Sequence, residues 1–422
     1  MRSANWSLVR ELSARSSVAD PVCAWKDTAL AKVWVGIDAG KQAHHAAAID
    51  EAGRVLWSVR VVNDQAALSE LVARVPAEDE VCWAVDLIGC ETALLRAVLI
   101  AVGQPVIYVP GRTVKAMAGG FPGEAKTDAR DAVVIANTAR MRRDLVPFAP
   151  ATELVAALAL LVAHRADLVQ EWVRNVNRLR RLMMGICPAL ERALSFTNVA
   201  TLILFSRYQT PRQLREAGRD ELISYLRANH AVQTAKTADT ALAAANRQQI
   251  ALPGQDTAAT LAADLATGLL ALRRRIKDID KAIEAAFADH PQAQVMRSLP
   301  GMGPLAAAEF TVAVGDLSTF PTPDHLASYA GLAPVPRDSG RRTGNLQRPQ
   351  RYNRRLRHVF YMAAMTTLRI DGPNREYYQR KRAEGRNHQQ AIIALSRRRV
   401  DVLWALLRDN RLFQLEPPSR LA

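Results

Sequence analysis

The chain is expected to combine an α/β domain built on a mixed sheet with all-helical units after it. Three observations predict this. Short β-branched runs alternate with helical segments across residues 31–150. From 151 to about 185, apolar residues recur at steps of mostly three or four. Beyond 291 the pattern stays helical while arginine becomes abundant. With 422 residues, two or three domains are expected. The boundaries read as a polar N-terminal extension (1–30), a mixed-sheet domain (31–150), a helical coiled-coil and insertion region (151–290), a C-terminal helical domain (291–415) and a tail (416–422).

Taken in order, "KVWVGIDA" is strand-like, and "HHAAAIDEAGRVLWSVRVV" reads as two strands around a turn at Glu51–Arg54, with Gly53 as the turn residue. "ALSELVARV" is a short amphipathic helix. "EVCWAVDLIG" is a strand in which Val81, Trp83 and Val85 alternate, and "ETALLRAVLIAVG" is the helix after it. "PVIYVP" is a further strand, and "KTDARDAVVIANTARM" opens a helix. A three-strand meander followed by strand–helix alternation predicts a mixed sheet with helices on its faces. In the next region Leu154, Leu158, Leu161, Leu168, Trp172, Val176, Leu179 and Met183 mark a helix roughly 50 Å long at ~1.5 Å per residue. Leu265, Leu269, Leu272, Ile276, Ile279 and Ile283 step by four and three, the narrow seam of a coiled coil. Two long helices around an insertion predict an antiparallel hairpin, whose seam packs either within one chain or across a dimer.

The formal net charge is +15 and the sequence pI about 10.1. Residues 31–140 carry 11 Lys+Arg against 13 Asp+Glu, while 331–422 carry 20 against 7, and 19 of those 20 are Arg. Guanidinium groups at this density suit phosphates, so nucleic acid is the expected partner and an anionic membrane the weaker one. Cys23, Cys82, Cys90 and Cys187 form no C-x-x-C pair, which argues against a zinc site or a disulfide framework and fits a reducing cytoplasm. The first 30 residues hold no apolar signal region, and "LVAALALLVA" is half the length a membrane span needs, so a soluble protein is expected.

Asp38 ends the first strand and is followed by Gly40. That pattern occurs in ribonuclease-H-like nucleases, where the acid binds Mg²⁺, and in actin-like ATPases and sugar kinases, where a glycine-rich turn cradles phosphate. "DAGKQ" has one glycine and no second phosphate loop follows, which favours the nuclease pattern. Asp86 ends a second apolar strand. Asp128 and Asp131 in "KTDARDA" are three apart, on one helix face. A pair so placed also resembles a helix-capping arrangement, and a lone strand-end Asp is often only a loop residue. Together, two strand-end acids and a helix-start pair form a carboxylate set that must be paired or bind a metal. Hard oxygen ligands and a phosphate substrate call for Mg²⁺, with two ions able to activate a nucleophile and steady a leaving oxygen.

"SLPGMGPLAAAEF" has the form of a helix-hairpin-helix turn, the alternative being an ordinary helix–helix turn. Pro300 and Gly301 end one helix, Gly303 permits the turn and Pro304 starts the next helix, leaving backbone N–H groups to hold a phosphate. "YAGLAPVPRDSGRRTGN" reads as a loop, with Ser339 between Asp338 and Gly340 and beside Arg341 and Arg342. From the residues alone, Ser339 either attacks a phosphodiester with arginine support or merely hydrogen-bonds a turn or a phosphate, the second being the commoner role. Arg348, Arg351, Arg354, Arg355 and Arg357 then form a phosphate-gripping face.

The order "GIDAGK", "VDLIG", "KTDARDA", long helical hairpin, "LPGMGPLAAAEF", "YAGLAPVPRDSG" and basic helical unit resembles the DEDD transposases of bacterial insertion sequences, relatives of Piv-type DNA invertases, over residues 33 to 410. The resemblance implies a RuvC-like N-terminal domain in which Asp38, Asp86, Asp128 and Asp131 bind Mg²⁺. It further implies a C-terminal transposase domain in which Ser339 attacks DNA and holds it covalently. Also implied are donor and target DNA as partners, an element-encoded bridge RNA, a dimer or tetramer with sites combined between protomers, and a nucleoid-associated bacterial cytoplasmic location. The chain departs from the family at Asp86, where Glu is usual; Glu91 lies in the following helix. The other readings are a RuvC-like nuclease that cuts branched DNA with activated water, and a nucleic-acid-binding protein that has lost catalysis.

Overall fold

A computed structural model describes residues 33–76, 80–121, 127–142, 144–145, 152–340 and 343–414. The expected extension and tail, Cys23, Lys126, Arg341 and Arg342 lie outside the described residues. The chain divides into two compact units, Met1–Pro150 and Ala151–Ala422.

In the first unit, β1 (Val33–Asp38), β2 (Ala43–Asp50) and β3 (Val55–Val62) form the antiparallel meander, with Gly53 at the β2–β3 turn holding φ of 80°. Helix α1 (Gln65–Ala73) starts where the Asp64 side chain accepts from Ala67 N at 2.9 Å, and carries the chain across to β4 (Val81–Val85), which pairs in parallel with β1. Helix α2 (Ala93–Ala101) leads to β5 (Val106–Tyr108), parallel to β4, giving the sheet order β3-β2-β1-β4-β5. Helix α3 (Gly111–Ala118) has no counterpart in the sequence reading, because "GRTVKAMA" is short and has few large apolar residues, although Val114 and Met117 fall on one face. Helix α4 (Asp128–Met141) completes the unit.

Side chains alternate across the sheet. Val33, Val35, Ile37, Val81, Trp83 and Val85 pack with Leu68, Leu71, Leu95 and Leu99 of α1 and α2. Trp34, Cys82 and Ala84 pack on the opposite face with Val114 of α3 and Val134, Ile135 and Ala136 of α4. With helices on both faces, all five residues of β4 are buried, so the alternation expected there distributes them between two cores instead of between core and solvent. Burial pushes the Cys82 thiol up to about 12, so it stays a protonated, unreactive core residue.

The second unit is built on α5 (Glu153–Ile186) and α10 (Gln255–Ala288), two helices of 34 residues each that pack against one another. Leu269, Leu272 and Ile283 of the expected seam are buried within the chain, and an Arg165–Asp280 ion pair joins the two helices. Between them, α6 (Pro188–Ala193), α7 (Val199–Arg207), α8 (Pro211–Ala228) and α9 (Thr234–Ala245) close a core around Phe196, Phe205 and Leu226. A second core gathers α11 (Ala293–Ser298), α12 (Pro304–Val314), α13 (Pro323–Tyr329), α14 (Arg354–Thr367) and α16 (His388–Arg408), with α15 (Pro373–Ala383) lying on α16. A short ribbon of β6 (Val335–Pro336) and β7 (Leu346–Gln347) projects from it. No described helix is long and apolar enough to cross a membrane.

Candidate active site

Register and alternation decide where the acids stand. Ile37 pairs with Val85, so Asp38 and Asp86, the next residue on each strand, leave the sheet side by side. Side chains two residues apart share a face. Asp38 therefore follows Trp34 and Gly36 onto the α4 side, and Asp86 follows Cys82 and Ala84 onto the same side. Ala39 N–H donates to Asp86 Oδ1 at 3.4 Å, which ties the loop leaving β1 to the acid leaving β4.

Helix α4 lies directly on β1 because Gly36 carries no side chain. A Cβ there would stand 2.1 Å from the Ala132 carbonyl oxygen and 2.3 Å from Ala136 N. The direction of the helix is fixed at its far end, where Arg140 Nη1 donates to the Glu51 carbonyl at 3.0 Å in the β2–β3 turn. That turn adjoins the start of β1, since Val33 pairs with Asp50. The first turn of α4, with Asp128 and Asp131, is consequently at the Asp38 end. Thr127 caps the helix, its hydroxyl accepting from Arg130 N at 3.3 Å. The capping role that a helix-start acid pair could have filled is thus taken by threonine, and the first-turn carboxylates gain only from the helix dipole. Arg130 binds the carbonyls of Ala118 and Phe121 and anchors this turn to α3.

Burial, and to a smaller degree the nearby Asp131 charge, raise the Asp86 carboxyl above its ordinary range; the hydrogen bond from Ala39 opposes this. Among the described residues no three His, Cys, Asp or Glu side chains converge closely enough to hold a metal ion. The acids at this end are all hard oxygen donors, and the Asp86–Asp131 repulsion is of the kind a divalent cation relieves, so this set fits Mg²⁺ by donor chemistry.

In the second unit Ser339 is exposed on the β6–β7 ribbon. Asn345 ties that ribbon together: its N–H donates to Asp338 Oδ1 at 2.9 Å, its side chain to the Arg337 carbonyl at 3.1 Å, and its carbonyl accepts from Arg337 N at 2.8 Å. Among the described residues the Ser339 hydroxyl makes no hydrogen bond. The basic stretch divides. Arg357 is structural in part, donating to the Gly331 carbonyl at 2.7 Å and stacking on Tyr352 at 4.9 Å, while Arg348 donates to the Tyr352 hydroxyl at 3.3 Å. Arg354 and Arg355 occupy the first turn of α14, where the helix dipole is already positive, and among the described residues none of Arg348, Arg351, Arg354, Arg355 and Arg357 is in an ion pair. Gly301 (φ 81°) lies against α14, a Cβ there meeting the Ala363 carbonyl at 2.4 Å, whereas Gly303 opens α12 as its N-cap with free space around it.

Comparison with known proteins decides the family. A transposase model of the DEDD IS110 type matches residues 35–188, and a model of transposases of the IS116/IS110/IS902 family matches 293–379. The insertion element IS116 44.8 kDa protein of Streptomyces clavuligerus is 52% identical over 388 residues, 92% of this chain and 97% of its own. This chain belongs to the IS110/IS116 family of transposases. The pilin gene-inverting protein of Moraxella bovis is 32% identical over 125 residues, 29% of this chain and 38% of its own. The T. thermophilus RuvC chain in complex with a Holliday junction substrate aligns over 28% of this chain and 99% of its own, at 23% identity and a TM-score of 0.22, a score on which no fold argument rests.

Sequence reading of the transposase missed residues that only tertiary structure brings forward. His45 pairs directly with Asp38 and shares its face; its ring stands 2.9 Å from Ser58 Oγ. His44, on the opposite face and buried, accepts from Gly40 N at its Nδ1 (3.3 Å), and burial lowers its pKa. Asn63 donates to the Lys41 carbonyl at 3.4 Å and the Glu91 carbonyl at 3.1 Å, so it links the loops that follow Asp38 and Asp86. The adjacent histidines of "AHHAAAID" were the available signal, but a strand reading treats them as surface. On the transposase's C-terminal helices, Arg380 and Lys381, one turn after Tyr377, are joined over its ring by Arg398 of the next helix at 5.1–5.6 Å, and only the contribution of Arg398 is hidden from sequence spacing.

Proposed function

We propose that this transposase cuts and rejoins DNA strands through a serine ester, with Asp38, Asp86, Asp128 and Asp131 as the Mg²⁺-holding set of a RuvC-like domain and Ser339 as the nucleophile. The observation that supports the reading is that the strand-end acids and the acidic first turn of α4 lie on one face and at one end of the sheet. Mg²⁺, when bound there, supplies Lewis-acid polarisation of phosphoryl oxygens. The Ser339 Oγ attacks phosphorus and loses its proton, the bond from phosphorus to the leaving strand oxygen breaks, and a phosphoserine ester forms. A strand hydroxyl then attacks that ester, regenerates the serine and takes over the phosphate, so the reaction needs no external energy source. The unpaired arginines at the start of α14, together with Arg341, Arg342 and the Gly301–Gly303 turn, hold the DNA backbone. Donor and target are chosen with an RNA guide in a dimer or tetramer; this part follows from the family resemblance and the +13 excess of residues 331–422 (20 against 7).

The test is strand exchange between donor and target DNA in the presence of the RNA that co-purifies with the protein. Asp128→Ala and Ser339→Ala are each expected to abolish exchange, and only the Ser339→Ala protein should still bind Mg²⁺ like the wild type while forming no covalent protein–DNA species. Full activity of Ser339→Ala, with free-ended products, would replace the serine mechanism by metal-dependent hydrolysis.

A further inference from the structure

Within the second unit, residues 199–277, which in sequence fall between the two stretches matched by the family models, line a cleft of about 200 Å³. Its floor is apolar, formed by Val199 and Ile203 of α7 and Leu270 of α10. Its rim is cationic. Arg273, Arg274 and Lys277 follow Leu270 at the three- and four-residue spacings that align one face of α10, and Asn229 closes the cleft at the end of α8. No acidic residue lines the space, and among the described residues none of the three cations is in an ion pair. The Nε–H of Arg273 is buried without a hydrogen-bond partner. A buried donor left unmade is costly, and three like charges on one helix face repel each other. An anion with several acceptor oxygens answers both. The room equals roughly six or seven waters, more than one phosphate group fills.

We propose that this cleft is a phosphate-binding site for a nucleotide unit, with the phosphate on Arg273, Arg274 and Lys277 and an apolar face of the sugar or base over Val199, Ile203 and Leu270. The site rests on the reading of the chain as a nucleic-acid-handling enzyme and adds a contact remote in sequence from its acids and Ser339. A guanidinium pair with a neighbouring ammonium suits phosphate oxygens better than a carboxylate, which offers fewer acceptors.

The test uses the full-length chain carrying Arg273→Gln, Arg274→Gln and Lys277→Gln together, and separately Lys277→Glu on an exposed residue. Binding of labelled duplex DNA and of labelled single-stranded RNA is measured by anisotropy across a series of salt concentrations, and binding of AMP and inorganic phosphate by calorimetry. The triple variant should lose about ten-fold in affinity, with the slope of log K on log salt flattened by about 1 to 2; Lys277→Glu should move in the same direction. A loss on the duplex identifies DNA as the source of the phosphate, a loss on RNA alone identifies RNA, and a loss confined to AMP and phosphate identifies a free nucleotide. Unchanged binding of all four probes by a folded triple variant overturns the proposal. If that variant melts, unchanged binding by Lys277→Glu overturns it instead. Asp128→Asn serves as the separating control: it should stop strand exchange and leave AMP and phosphate binding in the cleft intact, so failure of the catalytic reading and failure of the cleft give different results.

Discussion

At the scale of single residues, Asp86 links stability to function. Its folded-state pKa is raised, so the folded chain holds a proton that the unfolded chain has already released. Stability therefore falls as pH rises from the ordinary aspartate range through the raised value, and remains lowered above it. Asp86→Asn removes that penalty while keeping an acceptor for Ala39 N–H. The variant is expected to melt higher than the wild type at neutral pH in EDTA, with the advantage vanishing in acid, and to be inactive in strand exchange. A melting temperature equal to or below that of the wild type at neutral pH would contradict the assigned environment. His44 acts through the loop behind Asp38. His44→Ala should reduce exchange about ten- to a hundred-fold, and His44→Asn, whose carbonyl can accept from Gly40 N, should restore most of it; equal loss in both would remove the positioning role. Asp38, Asp86 and the Asp128/Asp131 pair were legible in the sequence because acids interrupting apolar strands, or paired at a helix start, stand out against a hydrophobic pattern. His44 and Asn63 were not, because they act on backbone atoms of loops brought near only by the fold.

Among the elements, α4 carries the argument. Its existence could be read from "KTDARDAVVIANTARM", but its seat could not, since only the structure shows that Gly36 is the point of closest approach. Gly36→Ala forces the helix away from β1, and overpacking of this kind costs about 1–3 kcal/mol. The expected outcome is a lower midpoint in urea, read by circular dichroism, together with loss of strand exchange; a variant with wild-type midpoint and activity would show that α4 does not need this contact. The meander and the parallel strands were legible from their apolar runs and turn residues. The alternation of Val81, Trp83 and Val85 read from the sequence holds, and because helices cover both faces of the sheet the intervening Cys82 and Ala84 are buried as well. Helix α3 was not legible because it is short and sparsely apolar, held by Val114 and Met117 on one face and by Arg130 on the Ala118 carbonyl.

For the whole molecule, charge and family agree. The slight acidic balance of residues 31–140 and the arginine excess of residues 331–422 were visible in the sequence, and under the proposed function the first accompanies the carboxylate set and the second the phosphate contacts. The part of the long seam buried at Leu269, Leu272 and Ile283 packs within the chain, a choice that heptad spacing alone left open between one chain and two. The cationic cleft on α10 is not legible in the sequence for a related reason: its basic residues are unremarkable until α7 and the end of α8 enclose them.

The proposed mechanism requires acids from two strands and one helix to hold divalent ions together. Mn²⁺ binding to the full-length protein, followed by electron paramagnetic resonance, tests this most directly. Asp38→Asn, Asp86→Asn and Asp131→Asn are each expected to weaken Mn²⁺ binding about ten-fold or more, while Ser339→Ala leaves it unchanged. Wild-type Mn²⁺ binding in all three aspartate variants would contradict it.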